Sequence, residues 1–161
     1  MEVLLKRYLY QRFGKPQTNF EITQIKHCCD EFKHLIEAGK IVPVKYHSGI
    51  DYGHQDKQIL KTVFKLALNF LNEDESIEEV YPINVCPFCQ EPIKSTILET
   101  LDVSRKVFDL QNKIKKLSAK YQPATGEDDK DRNLSAQLST IHKELDKYYY
   151  IHGLMEGGDS N

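Results

Sequence analysis

The sequence predicts an α+β fold: a small sheet packed on helices, followed by a C-terminal antiparallel helical hairpin of coiled-coil type. Three observations lead there. Short strand-like and helical runs alternate up to about residue 93. From residue 94 to 153, apolar positions recur at heptad spacing. Four cysteines fall in two close pairs, Cys28-Cys29 and Cys86-x-x-Cys89, each just past a strand-like run. The expected organisation is an α+β domain over 1–93, a helical hairpin over 94–153 and a flexible tail over 154–161.

The elements follow in order. Val3, Leu4, Leu5, Tyr8 and Leu9 stand at mixed helical spacing, and Gly14-Lys15-Pro16 would stop the run, which predicts a short helix over 2–12. "FEITQIK" alternates and reads as a strand. In "DEFKHLIEAGK", Phe32, Leu35 and Ile36 share one helical face, and Gly39 suits a helix C-terminus. "IVPVKYH" reads as a strand that Pro43 confines to an edge. "SGIDYGHQ" reads as a loop. "DKQILKTVFKLALNFLNE" predicts a buried central helix over 56–72, with Asp56 as N-cap. "EEVYPINV" is a strand that delivers the chain to Cys86.

Two seams then follow. Val103, Val107, Leu110, Ile114, Leu117 and Tyr121 form one, and Leu134, Leu138, Ile141, Leu145 and Tyr148 the other. The polar stretch "QPATGEDDKDRN" separates them as a turn. Two amphipathic helices so joined predict a hairpin.

Composition bounds the function. The 161 residues are 40% hydrophobic and 29% charged, enough to bury a core. The formal net charge of −2 gives no global pull toward polyanions or membrane surfaces. No apolar run is long enough for a membrane span, and the N-terminus lacks a cleavage site. The expected compartment is the cytoplasm, where thiols stay reduced. No nucleophile elbow, P-loop or dinucleotide fingerprint is present, so no enzyme is expected.

The cysteines carry the chemistry. Tetrahedral zinc takes four thiolate or imidazole ligands. A C-P-x-C turn turns both sulfurs toward one ion, with the following backbone N–H groups aimed at the first. Cys28 and Cys29 would supply the second pair, provided the backbone twists, because neighbours in a strand face opposite ways. Three cysteines plus His27 or His34 is the other ligand set.

"CPFC" after a strand also fits a thiol oxidoreductase using Cys86 and Cys89. Pro92 would break the helix which that reading needs. A zinc hook needs helices on both sides of the motif, and Pro82 lies in a strand-like run upstream.

"IKHCCDEFKHLIEAGKI" with the later "INVCPFCQEPI" resembles small uncharacterised zinc-binding proteins of phages and Gram-positive bacteria, over roughly residues 20–93. Those proteins pair a C-C segment and short helix with a late C-P-F-C-G knuckle. The resemblance implies a metal role for Cys28, Cys29, Cys86 and Cys89, a structural Zn2+ and a phage or prophage origin. Gln90 departs from it, standing where the pattern has glycine. A left-handed backbone there would cost about 1–2 kcal/mol.

Other clusters read as surface. His47, His54, Asp51 and Asp56 belong to a polar loop. Lys113, Lys115, Lys116 and Lys120, with Arg105 and Lys106 upstream, read as a solvated helix face. Tyr148, Tyr149 and Tyr150 spread aromatic mass over more than one face and suit a protein contact.

The sequence thus points to a small cytosolic zinc-stabilised interaction or regulatory protein. It would contact a protein partner, or a second copy of itself, through the hairpin. The alternatives are a nucleic-acid-binding zinc protein and a thiol oxidoreductase.

Overall fold

The computed structural model describes residues 1–47, 62–71, 77–120 and 129–153. The elements are β1 (Glu2–Arg12), β2 (Lys15–Lys26), α1 (Asp30–Glu37), β3 (Ile41–His47), β4 (Thr62–Leu71), β5 (Ile77–Ile83), β6 (Lys94–Asp102), α2 (Ser104–Ser118), α3 (Asp129–Tyr149) and β7 (His152–Gly153). They build a four-stranded sheet, order β6-β1-β2-β7, and a three-stranded sheet, order β3-β4-β5.

This architecture is α+β, but it corrects the expected one. The run 2–12 is a strand rather than a helix. It pairs antiparallel with β2 and parallel with β6. Its apolar residues mimic helical spacing because the strand is covered on different faces at its two ends. Val3 and Leu5 enter one core with Phe20 and Ile22; Tyr8 and Tyr10 join another with α2 and α3. Residues alternating across a strand can serve both.

Nor is 62–71 part of a central helix. It is the middle strand of the three-stranded sheet, between β3 and β5. Phe64 and Leu66 are buried on one face and Ala67 on the other. Phe64, Leu66 and Leu68 alternate with Lys65, Ala67 and Asn69, the period of two that a strand shows, although Val63, Leu66, Ala67 and Phe70 also stand at helical spacing. The expected N-cap, Asp56, lies outside the described residues.

The helices do not form a separate antiparallel coiled coil either. α2 and α3 lie on the four-stranded sheet, where Val107, Leu110, Leu145 and Tyr148 close over Tyr10. Lys106 pairs with Glu144 at 3.0 Å, and Gln111 donates to the Tyr149 hydroxyl at 2.7 Å. The seams therefore serve helix-on-sheet packing. β6, the first element after residue 93, joins the same sheet as β1 and β2.

Other elements match their sequence signals. α1 ends at Gly39, φ +67, whose N–H reaches Ile36 O while that of Lys40 reaches Leu35 O. β3 carries Pro43 on an edge strand.

The molecule is layered: α2 and α3, then the four-stranded sheet, then the three-stranded sheet with α1. The larger core lies between the sheets, where Phe20 and Phe64 meet edge to face at 5.9 Å with Phe32, Ile36, Ile41 and Leu66 around them. Two side chains add bonds, one within the four-stranded sheet and one from it to the helices. At a β2 bulge, the Thr23 hydroxyl donates to Leu4 O at 3.0 Å. On the helical side, fully buried Asn19 donates through Nδ2 to Lys147 O and Tyr150 O at the C-terminus of α3. Among the described residues, no helix is long and apolar enough to cross a membrane.

Candidate metal centre

Cys28, Cys29, Cys86 and Cys89 converge. Their sulfurs all lie within 4.8 Å of one another. The nearest recorded approach, Cys29 Sγ to Cys86 Sγ, is 3.6 Å. A disulfide needs about 2.05 Å, and all four thiols are free. Tetrahedral zinc with Zn–S bonds of about 2.3 Å places its sulfurs about 3.8 Å apart. The cluster has that size, and its four cysteines could hold a metal ion.

Each pair comes from a connection between layers. Cys28 and Cys29 lie past the end of β2, in the turn into α1, so strand alternation does not separate them. Cys29 is the N-cap of α1 with an extended backbone, φ −157° and ψ 163°. Its sulfur makes no cap hydrogen bond, but the nearby Phe32 N–H at the helix start favours a thiolate there. Helix α1 begins here because Asp30 and Glu31 suit its positive end, and because Phe32 and Ile36 bury on one face.

Cys86 and Cys89 sit on the connection from β5 to β6. Val85 and Pro92 form an antiparallel bridge at its base. Cys86 N–H donates to Glu91 O, and Gln90 N–H returns to Cys86 O at 3.0 Å. The loop closes only if the chain reverses after Cys89, and Gln90 makes that reversal at φ +61. The glycine-like position is thus left-handed, occupied by a residue that pays for its Cβ. The Met1 ammonium donates to Pro92 O, and Lys94 N–H to Met1 O, which ties the loop to the start of β1.

Electrostatics divide the thiols. Burial pushes the Cys86 thiol up, but the backbone N–H groups of Cys89 and Phe88 outweigh it and bring the pKa down to about 7. Burial, reinforced by hydrogen bonds from Cys89 and Cys86, pushes Cys28 up to about 12. At Cys29 the Phe32 N–H favours the thiolate, but burial and the neighbouring thiols leave it raised. Four sulfurs this close cannot all ionise unaided. A divalent cation among them removes that conflict.

The expected ligands are therefore brought together, and the histidine substitutes are not. His34 Nδ1 lies 3.5 Å from Glu37 Oε2 on the exposed side of α1. His27 lines a neighbouring cleft of about 600 Å3 beside Cys28 and Cys89 without joining the sulfurs. Of the polar loop expected to hold His47, His54, Asp51 and Asp56, residues 48–55 and Asp56 fall outside the described residues. Lys113, Lys115, Lys116 and Lys120 are exposed. Tyr148 is buried against Tyr8, edge to face at 5.5 Å, while Tyr150 is 66% exposed.

Sequence reasoning passed over a second charged cluster. Arg12, at the end of β1, lies against Tyr149 of α3, and Lys45 Nζ of β3 donates to Tyr149 O at 2.6 Å. The signal within reach was Gly14, which with Lys15-Pro16 suits a helix stop but here belongs to a hairpin turn with Phe13. No family model, curated protein or solved structure matches the chain.

Proposed function

We propose that this is a zinc-stabilised protein-interaction module, with one structural Zn2+ held by Cys28, Cys29, Cys86 and Cys89. The observation that carries the reading is the mutual approach of the four sulfurs within 4.8 Å. Four thiolates complete a tetrahedral shell and leave no open position for substrate, which favours a structural over a catalytic role. The ion would join the turn after β2 to the loop after β5, and so tie one sheet to the other. Metal binding then adds to folding free energy directly.

Cys86 is fully buried. An attacking thiol needs access, so burial weighs against thiol exchange there. A binding role gains support from β6, an edge strand whose Ile97 and Leu98 are 43% and 57% exposed. Such an edge can accept an extended segment of a protein partner.

Elemental analysis of the freshly purified protein tests the metal reading. The expected result is about one zinc per chain. Cys28→Ser, Cys29→Ser, Cys86→Ser and Cys89→Ser should each lose zinc and melt lower, and His27→Ala and His34→Ala should retain both. Folded wild-type protein with no bound metal, unaffected by a chelator, rules the reading out.

A further inference from the structure

The β1–β2 hairpin turns through Phe13 and Gly14, both at positive φ, +52 and +72. Glycine accepts that conformation freely, and Asn-Gly is the pair such two-residue turns favour. Phe13 is a poor choice on backbone grounds. It is also 90% exposed, so no burial within the described residues offsets the strain. Strain kept at an exposed aromatic marks a site of function.

A cavity of about 570 Å3 opens beside it, between the hairpin tip and the two long helices. Arg12 stands there with its guanidinium 4.4 Å from the Tyr149 ring centroid and 5.4 Å from that of Phe13. Lys115 adds positive charge, against Asp146 as the one carboxylate of the lining among the described residues. Lys45 lies close behind. Burial first, and then the charge of Arg12, hold its ammonium below the ordinary lysine range. Among the described residues, neither Arg12 nor Lys45 has a carboxylate partner in an ion pair. Exposed rings, uncancelled cations and the side-chain amide of Asn112 thus share one cleft.

We propose that this cleft binds a nucleotide. The base stacks on Phe13 and Tyr150, the phosphate meets Arg12 and Lys115, and Asn112 and Asp146 face the polar edge of the base. Rings beside cations are what nucleotide recognition uses, because every base offers a π-face and every phosphate a charge. A free nucleotide and a residue of a single strand share this chemistry. The site uses none of the four cysteines, so it stands apart from the metal reading.

The test is fluorescence anisotropy at low salt on the full chain as purified. Fluorescein-labelled oligothymidylate and labelled adenosine monophosphate are the probes, and unlabelled polyglutamate is the competitor. Phe13→Asn suits the turn and keeps the fold while removing the ring; Arg12→Glu reverses the charge. Each should weaken saturable binding roughly tenfold or more. Lys33→Gln, on α1 at the far end of the β1–β2 ladder, should leave it unchanged. Binding of the oligonucleotide alone supports a single strand as the ligand; binding of the mononucleotide as well supports the free nucleotide. The proposal is overturned if neither probe binds saturably. It is equally overturned if Phe13→Asn binds like the wild type, or if polyglutamate competes as well as unlabelled oligonucleotide, which would indicate an acidic protein surface instead.

Discussion

Asn19 is the hinge between the helical layer and the sheet, and its removal has a calculable cost. The residue is fully buried in β2. Its Nδ2 donates to Lys147 O at 3.1 Å and to Tyr150 O at 2.5 Å, while Oδ1 has no partner among the described residues. Asn19→Ala deletes both bonds, each worth about 1 kcal/mol net. It also leaves the space of an amide, which adds about 1 kcal/mol. Loss is therefore expected at about 2–4 kcal/mol. For a chain of this size that lowers the melting temperature by roughly 4–16 °C.

Asn19→Asp sharpens the test. It replaces the donor with a carboxylate facing two carbonyl oxygens in a buried site. Both features raise its folded pKa, so the stability of this variant is retained at low pH and falls as pH rises through that value. Urea unfolding followed by circular dichroism, at about pH 4 and about pH 7, measures both effects. If Asn19→Ala unfolds within about 0.5 kcal/mol of the wild type, the bonds to α3 do not hold the layers together. A pH-independent Asn19→Asp would equally refute the buried donor geometry.

Three further expectations follow from single residues. Gly153 has φ +115, and a Cβ there would collide with the Ile22 backbone, so Gly153→Ala should destabilise by about 2 kcal/mol and weaken the β2–β7 pairing in hydrogen exchange. Gln90→Gly relieves the left-handed strain of the knuckle at some cost in unfolded-chain entropy; a gain of up to about 1 kcal/mol is expected, read by thermal melts at unchanged metal content. Tyr8 is partly buried and hydrogen-bonded to Glu21, and both raise its folded pKa above the ordinary 10.0. Its contribution is present below the unfolded value and is lost as pH climbs through the folded one. A tyrosinate absorbance titration should show one phenol ionising late, together with alkaline unfolding, and Tyr8→Phe should remove that late step.

The cysteine cluster that could hold a metal was legible in the sequence because its chemistry is local and rare. Four thiols in two pairs leave few arrangements, and Pro92 excluded a helix after Cys89. The left-handed Gln90 could be foreseen only through the resemblance, whose pattern has glycine at that position. α1 and its Gly39 cap were legible for the same reason, since capping and an i, i+3, i+4 face act within a few residues.

What failed depended on neighbours distant in sequence. Residues 2–12 look helical only because Val3 and Leu5 face one layer while Tyr8 and Tyr10 face another. The run 62–71 fits both periods, Phe64, Leu66 and Leu68 the strand's and Val63, Leu66, Ala67 and Phe70 the helix's, so only its pairing with β3 and β5 decides it. The heptad seams exist, yet a seam is satisfied equally by a partner helix or by a sheet, and β1 and β2 supply the sheet. Asn19, Arg12 and Lys45 carried no motif at all. The sequence by itself determined which residues can hold a metal and where short-range caps fall, because those follow from side-chain chemistry over a few bonds. Only the tertiary structure decided which faces are covered, and so which runs become strands, because burial belongs to pairs of elements rather than to any one of them.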